Sequence, residues 1–313
     1  MPQVNHRVEL GAAAAALERC CPGGVRRNEP LARHVSFRIG GPADILVLPR
    51  TLESLDAAVA WLYRERLPFV MLGRGSNVLI ADRGIRGVVI KTGRGQGGVA
   101  YDGPRVRAEC GASVPHLSRR TAEHGLAGLE FAAGIPGSVG GAVVMNAGAH
   151  GCSFAEVLVS ARVRTPQGLA TWRRDEWGLR YRHSRLQDEP GVVLDCELLL
   201  RPAPAHETVA RLEAWLRTRA ESQPLGPPSS GCIFRNPDGD FAGRLIDVTG
   251  IKGLRVGGAV VSDRHANYIL NTGGATARDV LALIAQVRAR VHDHVGADLA
   301  TEIKMLGDFE AAA

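Results

Sequence analysis

The sequence predicts an α+β fold, and three observations carry that expectation. Helical and strand periodicities mix irregularly along the 313 residues, without a strict βαβ alternation. The middle of the chain is rich in strand-like segments. Several of these end in glycine turns rather than in helices.

The elements follow in order. Residues 8–21 read as a short alanine-rich helix, and residues 44–48 as a buried strand stopped by Pro49. Leu52, Leu55, Val59 and Leu62 share one face of a helix over 52–66. A strand at 69–72 runs into Gly73-Arg74-Gly75-Ser76-Asn77. Short strands are expected at 78–80, 86–91 and 105–110, then a helix over 114–124 that stops at Gly125. Residues 134–151 hold six glycines, too many for a helix or strand throughout. Strands at 156–165 and 191–200 come next, the first closed by Thr165-Pro166-Gln167-Gly168. A helix over 205–221 precedes the Pro224-Leu225-Gly226-Pro227-Pro228 connection. The last helix starts near Thr276, with Asp279 in capping-box position, and a strand over 301–306 closes the chain. The breaks near 66 and 203 divide the chain into parts 1–66, 67–203 and 204–300, with the tail 301–313 joining the first.

Composition narrows the function classes. Apolar residues make up 45% and charged residues 22%, which excludes a disordered chain. The net charge of +6 is spread without a basic block or aromatic platform, so no nucleic-acid partner is expected. A mild positive field suits anionic small molecules. The six cysteines show no CxxC spacing, so neither a zinc site nor a disulfide framework is expected. Free thiols and the lack of a signal-peptide pattern predict a cytoplasmic protein. The run from Ala12 to Leu17 is too short for membrane insertion.

Two glycine segments suggest where ligands bind. The turn Gly73-Arg74-Gly75-Ser76-Asn77 exposes backbone N–H groups that can cradle phosphate, and Ser76 and Asn77 add side-chain donors. By itself such a turn is as often only a turn. Gly134-Ile135-Pro136-Gly137-Ser138-Val139-Gly140-Gly141 permits close backbone approach and is too constrained for a linker. Neither is a P-loop or a dinucleotide GxGxxG turn.

These segments occur in order with Ser36-Phe37-Arg38-Ile39-Gly40-Gly41-Pro42-Ala43-Asp44, Met145-Asn146-Ala147-Gly148-Ala149, Tyr181-Arg182-His183-Ser184 and Gly231-Cys232-Ile233-Phe234-Arg235-Asn236-Pro237. The set, spanning about residues 28 to 307, resembles the UDP-N-acetylenolpyruvoylglucosamine reductase family, in its shorter form without an extra substrate-covering insertion. The resemblance implies a two-part FAD-binding module of the vanillyl-alcohol-oxidase type plus a C-terminal α+β substrate-binding domain. It implies NADPH-dependent, FAD-mediated reduction of the enolpyruvyl sugar nucleotide to UDP-N-acetylmuramate in peptidoglycan precursor synthesis, and so a part in cell shape and division. A monomer is expected.

The implied residues carry over position by position. Gly73, Arg74, Gly75, Ser76 and Asn77 would bind the FAD pyrophosphate, and Gly134, Ile135, Pro136, Ser138, Gly141, Ala142 and Asn146 would line the rest of its path. No His or Cys lies between Arg66 and Cys110, so the FAD is expected to be non-covalent. Arg182 matches the charge-stabilising arginine, Cys232 the proton donor and Glu302 the second catalytic acid. Tyr181, Arg182, Arg235, Asn236 and Asn267 would contact substrate or NADPH. The chain departs from the family at Cys232, where serine is common, at Arg235 for lysine, at Val35 for threonine and at Ala300, where a first glutamate often stands. No metal is implied. Each residue also has a structural reading: a surface ion pair for Arg182, a buried filler for Cys232, a strand-surface carboxylate for Glu302. Two other functions share parts of the pattern: an oxidase of the same fold, and a non-catalytic nucleotide-sugar or flavin binder.

Overall fold

The computed structural model describes residues 3–309. Its helices are α1 (Gln3–Cys20), α2 (Leu52–Arg64), α3 (Val114–Glu123), α4 (Val139–Val144), α5 (Ala205–Ser222), α6 (Ala242–Asp247) and α7 (Ala277–Val295). The expected α+β class holds.

Local chemistry explains the two best-defined helices. Thr51 caps α2 by accepting from the Ser54 N–H, and Leu55, Ala58, Val59 and Leu62 make its buried face. Thr276 and Asp279 form the expected capping box of α7, and Gly296 ends it in the left-handed region at φ 68°. Within the glycine-rich stretch, α4 is a six-residue helix entered through Ser138. The short helix α6 was not expected. Its first N–H groups lack a cap from Phe241, and Asn236 Oδ1 instead accepts from the Ala242 N–H at 3.1 Å.

The described residues form two compact units. One comprises residues up to 27, 45–74 and 87–219; the other 28–44, 75–86 and the residues from 220 on. The first holds a five-stranded antiparallel sheet in the order 168–173, 158–165, 192–199, 105–109, 99–102. The two outer strands were not expected. Val99–Asp102 exposes alternate residues, and Gly168–Arg173 is the return arm of the Thr165 to Gly168 hairpin. The core of this unit gathers Leu17, Leu55, Leu62, Val106, Leu117, Phe154 and Trp177.

The second unit has its own core, built from Phe37, Leu79, Ile233, Phe234, Ile246, Val280 and Ile284. Strands 255–256, 259–261 and 269–271 make a small antiparallel sheet there. Strand Lys304–Leu306 lies parallel to Val78–Ile80, with Lys304 opposite Val78.

Candidate functional site

In the first unit, strand Phe69–Leu72 delivers Gly73 against Ser138: a Cβ on Gly73 would lie 2.4 Å from the Ser138 Oγ. Ser138 is itself buried and opens α4. The Val139 N–H donates to the Ala112 carbonyl at 2.9 Å and the Gly140 N–H to the Cys110 carbonyl at 2.8 Å. A Cβ on Gly140 would meet the Cys110 Cβ at 2.9 Å, so only glycine allows this approach. The segment from Gly134 to Ala142 is thus clamped by main-chain bonds beside the end of strand Arg105–Glu109.

A cleft of about 660 Å³ opens in the same unit, lined by Arg74, Lys91, Thr92, Ser113 and His116 among glycines. The Lys91 Nζ donates to the Gly73 carbonyl at 2.9 Å. Burial, and then the neighbouring Arg74 charge, pull the Lys91 ammonium down to about 8. Two cations in a cleft walled by glycines and hydroxyls suit an anionic ligand such as a diphosphate. Arg74 was expected here; Lys91, Thr92, Ser113 and His116 were not. They come from separate strand and helix ends and share no motif. The one available signal is a lysine closing the apolar run Val88-Val89-Ile90.

The Tyr181-Arg182-His183-Ser184 turn belongs to this unit too. Arg182 adopts a left-handed backbone at φ 53°. Its Nη2 donates to the Gly148 carbonyl at 2.8 Å, and its guanidinium lies 5.2 Å from the Tyr181 ring centroid. Tyr181 is 52% exposed. Side chains tie the turn to α4: Ser184 Oγ and Gln187 Nε2 both donate to the Val144 carbonyl, at 2.6 and 3.0 Å. Asn146, buried at φ 41°, donates through Nδ2 to the Arg180 carbonyl and accepts through Oδ1 from the Ala155 N–H, both at 2.9 Å. Its amide therefore holds the Arg182 turn in place.

The second unit gathers a different set. Gly75 sits at φ 67°, where a Cβ would be 2.8 Å from the His34 carbonyl and the Val35 Cα. It is glycine for both reasons. Ser76 is half-buried. Asn77 accepts from the Lys304 N–H at 3.0 Å through its carbonyl, and its Nδ2 reaches the Glu302 carbonyl at 3.4 Å. The Glu302 N–H donates to the Ile233 carbonyl at 2.8 Å, one residue from Cys232. Cys232 is half-buried and bridges to Tyr268. Asn267 brackets Phe234, accepting from its N–H at 2.9 Å and donating to its carbonyl at 2.8 Å. The Arg235 N–H donates to the Ala300 carbonyl at 2.8 Å, and its Nε is buried without a hydrogen-bond partner among the described residues. Asn236 is exposed. Cys232, Glu302, Arg235 and Asn77 are thereby joined through main-chain steps in one unit, while Arg182, Tyr181 and Asn146 are joined in the other.

Comparison with known proteins decides the family. Residues 223–306 match the family described as "UDP-N-acetylenolpyruvoylglucosamine reductase, C-terminal domain", and residues 43–172 that described as "FAD binding domain". A UDP-N-acetylenolpyruvoylglucosamine reductase of Syntrophomonas wolfei is 43% identical over 288 residues, covering 92% of this chain and 96% of that protein. That of Bacillus subtilis is 42% identical over 287 residues, with 91% and 95% covered. The chain belongs to the UDP-N-acetylenolpyruvoylglucosamine reductase family. The crystal structure of the Thermus caldophilus reductase agrees at a TM-score of 0.77 and 36% identity, covering 90% of this chain and 98% of that one.

As a member of this reductase family with an FAD-binding domain, the protein is an FAD-dependent oxidoreductase. The FAD-domain match contains the turns Gly73–Asn77 and Gly134–Asn146; the reductase-domain match contains Cys232, Arg235, Asn236, Asn267 and Glu302. Tyr181 and Arg182 lie between the two matches. Among the described residues, no helix is long and apolar enough to cross a membrane, and no cluster of His, Cys, Asp or Glu could hold a metal ion.

Proposed function

We propose that this chain reduces UDP-N-acetylglucosamine enolpyruvate to UDP-N-acetylmuramate, with NADPH as reductant and a dissociable FAD, in peptidoglycan precursor synthesis in the cytoplasm. The observation that carries the reading is the link between Glu302 and the Cys232 segment, through the Glu302 N–H and the Ile233 carbonyl. It ties the main chain of residue 302 to that of the residue after Cys232, which supports treating the two as one site.

The residues fit the cofactor. Gly73 and Gly75 have no room for a Cβ, and the Arg74 and Lys91 cations line the neighbouring cleft. Gly73 to Asn77 and Lys91 would hold the diphosphate, with Gly134, Ile135, Pro136, Ser138, Gly141 and Ala142 along the rest of FAD and Asn146 fixing the segment that follows. Bound FAD supplies two-electron redox chemistry between NADPH and the terminal carbon of the enolpyruvyl group.

The protein's own groups do the remaining work. Arg182 is assigned to the substrate carboxylate, whose charge grows as the neighbouring carbon becomes enolate-like; a planar guanidinium suits two oxygens. Glu302 is assigned to polarising that carboxylate. Cys232 gives its thiol proton to the enolic carbon. A thiol is protonated at neutral pH and is a stronger acid than the hydroxyl common at this position. Tyr181, Arg235 and Asn236 are assigned to substrate or NADPH contact. Asn267 serves the same ligands by holding Phe234 and the residues flanking it. The division 1–66 with 301–313, 67–203 and 204–300 is part of this reading as three working parts, of which residues 1–2 and 310–313 lie outside the described ones. A monomer suffices for the reading.

The test is anaerobic. NADPH should bleach the flavin, and the enolpyruvyl sugar should restore the oxidised spectrum. A flavin that NADPH reduces but the sugar leaves reduced would overturn the substrate assignment. Rapid turnover with oxygen alone would favour an oxidase.

A further inference from the structure

The hairpin that holds Arg182 contains an unusual turn. Gly148 and Ala149 pair with Ser153 and Cys152, leaving His150 and Gly151 as a two-residue loop. Both loop residues are left-handed, at φ 54° and 80°, the geometry of a type I′ turn. Gly151 adopts it freely. His150 does not, because an L side chain in that region crowds its own backbone. Asparagine or glycine is the usual choice in such a turn, and a histidine here places a ring at the hairpin tip.

The imidazole lies flat on Trp215 of α5, with ring centroids 4.9 Å apart and planes within 5°. Trp215 is half-buried and packs against the core of its unit, so it forms a fixed wall. One turn further along α5, Arg219 covers Gly134, where a Cβ would stand 2.5 Å from the arginine Cδ. Burial, and then the Arg219 charge, lower the His150 pKa from its usual value. Both favour the neutral ring, which stacks as one aromatic on another.

The hairpin transmits this anchor. Gly148 pairs with Ser153 across the hairpin and packs closely on it, since a Cβ there would be 2.3 Å from the Cys152 carbonyl. The Gly148 carbonyl accepts from Arg182 Nη2 at 2.8 Å. A tip released from Trp215 would carry that carbonyl with it, two residues away.

We propose that the His150–Trp215 stack is a positioning device for Arg182, holding the guanidinium through the Gly148 carbonyl. It rests on the assignment of Arg182 to the substrate carboxylate. Neither His150 nor Trp215 touches substrate in this role.

The test follows the two half-reactions separately in the FAD-loaded full chain. Trp215→Ala and His150→Asn should slow flavin reoxidation by the enolpyruvyl sugar roughly 10- to 100-fold, the scale expected for a misplaced catalytic group. Reduction by NADPH should stay within about twofold of wild type. Asn accepts the left-handed turn, so His150→Asn keeps the hairpin while removing the ring; it carries the test if Trp215→Ala fails to fold. Trp215→Tyr, which keeps a stacking ring, should restore most of the rate. In an Arg182→Lys background, Trp215→Ala should add less than about threefold, because both changes act on one interaction. Equal slowing of both half-reactions, full additivity in that background, or unchanged reoxidation in the variants would each overturn the proposal. A wild-type flavin that the sugar never reoxidises would sink it together with the substrate assignment. A competent wild type with unaffected variants would sink the positioning role alone.

Discussion

The Arg182 turn and the Cys232 segment are held in different ways. Around Arg182, one backbone pair, Arg180 with His183, closes the turn, and side chains tie it to its surroundings: Asn146, Ser184 and Gln187 each do so through an amide or hydroxyl, and residues 146 and 182 both adopt left-handed backbone. Around Cys232, main chain does it. Residue 232 bridges to 268, the Ile233 N–H donates to the Asn267 carbonyl, 234 bridges to 301, and the Arg235 N–H donates to the Ala300 carbonyl. Asn267 is the exception, adding a side-chain bracket. Backbone pairing is blind to side-chain identity, so the Cys232 position can exchange chemistry while keeping its geometry. The Arg182 turn has less of that freedom: Arg180 and His183 pair through main chain within it, but its ties to α4 and to the segment after it are particular side chains.

The largest effect should test the first half of that contrast. Cys232→Ala should slow reoxidation by the sugar by roughly 10²- to 10⁴-fold, the range for losing a positioned acid, and leave NADPH reduction intact. Cys232→Ser should keep activity with a shifted pH profile, since its backbone pairing is unchanged. Full turnover by the alanine variant would remove Cys232 from the mechanism.

Stability should expose the other half. Asn146→Ala loses bonds to the Ala155 N–H and the Arg180 carbonyl and forces alanine into a left-handed site. A loss of roughly 3–5 kcal/mol is expected in denaturant unfolding. Asn267→Ala also loses two backbone partners, but the flanking main-chain bonds remain, and roughly 2–3 kcal/mol is expected. If Asn267→Ala proved the more damaging, the contrast would fail.

Smaller effects sharpen the picture in the glycine segment. Gly140→Ala must push a methyl to 2.9 Å from the Cys110 Cβ, which should destabilise by about 1–3 kcal/mol. Lys91 gives a pH signature. Its folded-state value of about 8 lies below the ordinary 10.5. Between those values the unfolded chain binds more protons, so stability rises with pH; below about pH 8 both states are protonated and the penalty is constant. Lys91→Gln should flatten that rise in denaturant midpoints taken across about pH 8–10. An identical slope in wild type and variant would show that Lys91 is not perturbed.

Much of this was legible in the residues. The caps Thr51 and Thr276 with Asp279, the buried face of α2 and the order of the motifs all belong to local chain chemistry. The strands Val99–Asp102 and Gly168–Arg173 were not legible, since each is short and exposes alternate residues at a sheet edge. Helix α6 escaped because its N-terminal partner, Asn236, lies six residues away. Lys91, Thr92, Ser113 and His116 form no pattern, for they converge only when strand and helix ends meet.

The sequence by itself determined the α+β class, the principal helices, the family and the candidate chemistry of Arg182, Cys232 and Glu302, because periodicity, caps and motif order are properties of neighbouring residues. Only the tertiary structure decided that Asn146 and Asn267 spend their amides on backbone, that Lys91 shares a cleft with Arg74, and that His150 rests on Trp215. Those facts depend on pairs separated by 9 to 65 residues, whose meeting is set by the packing of whole elements and is written in no local pattern.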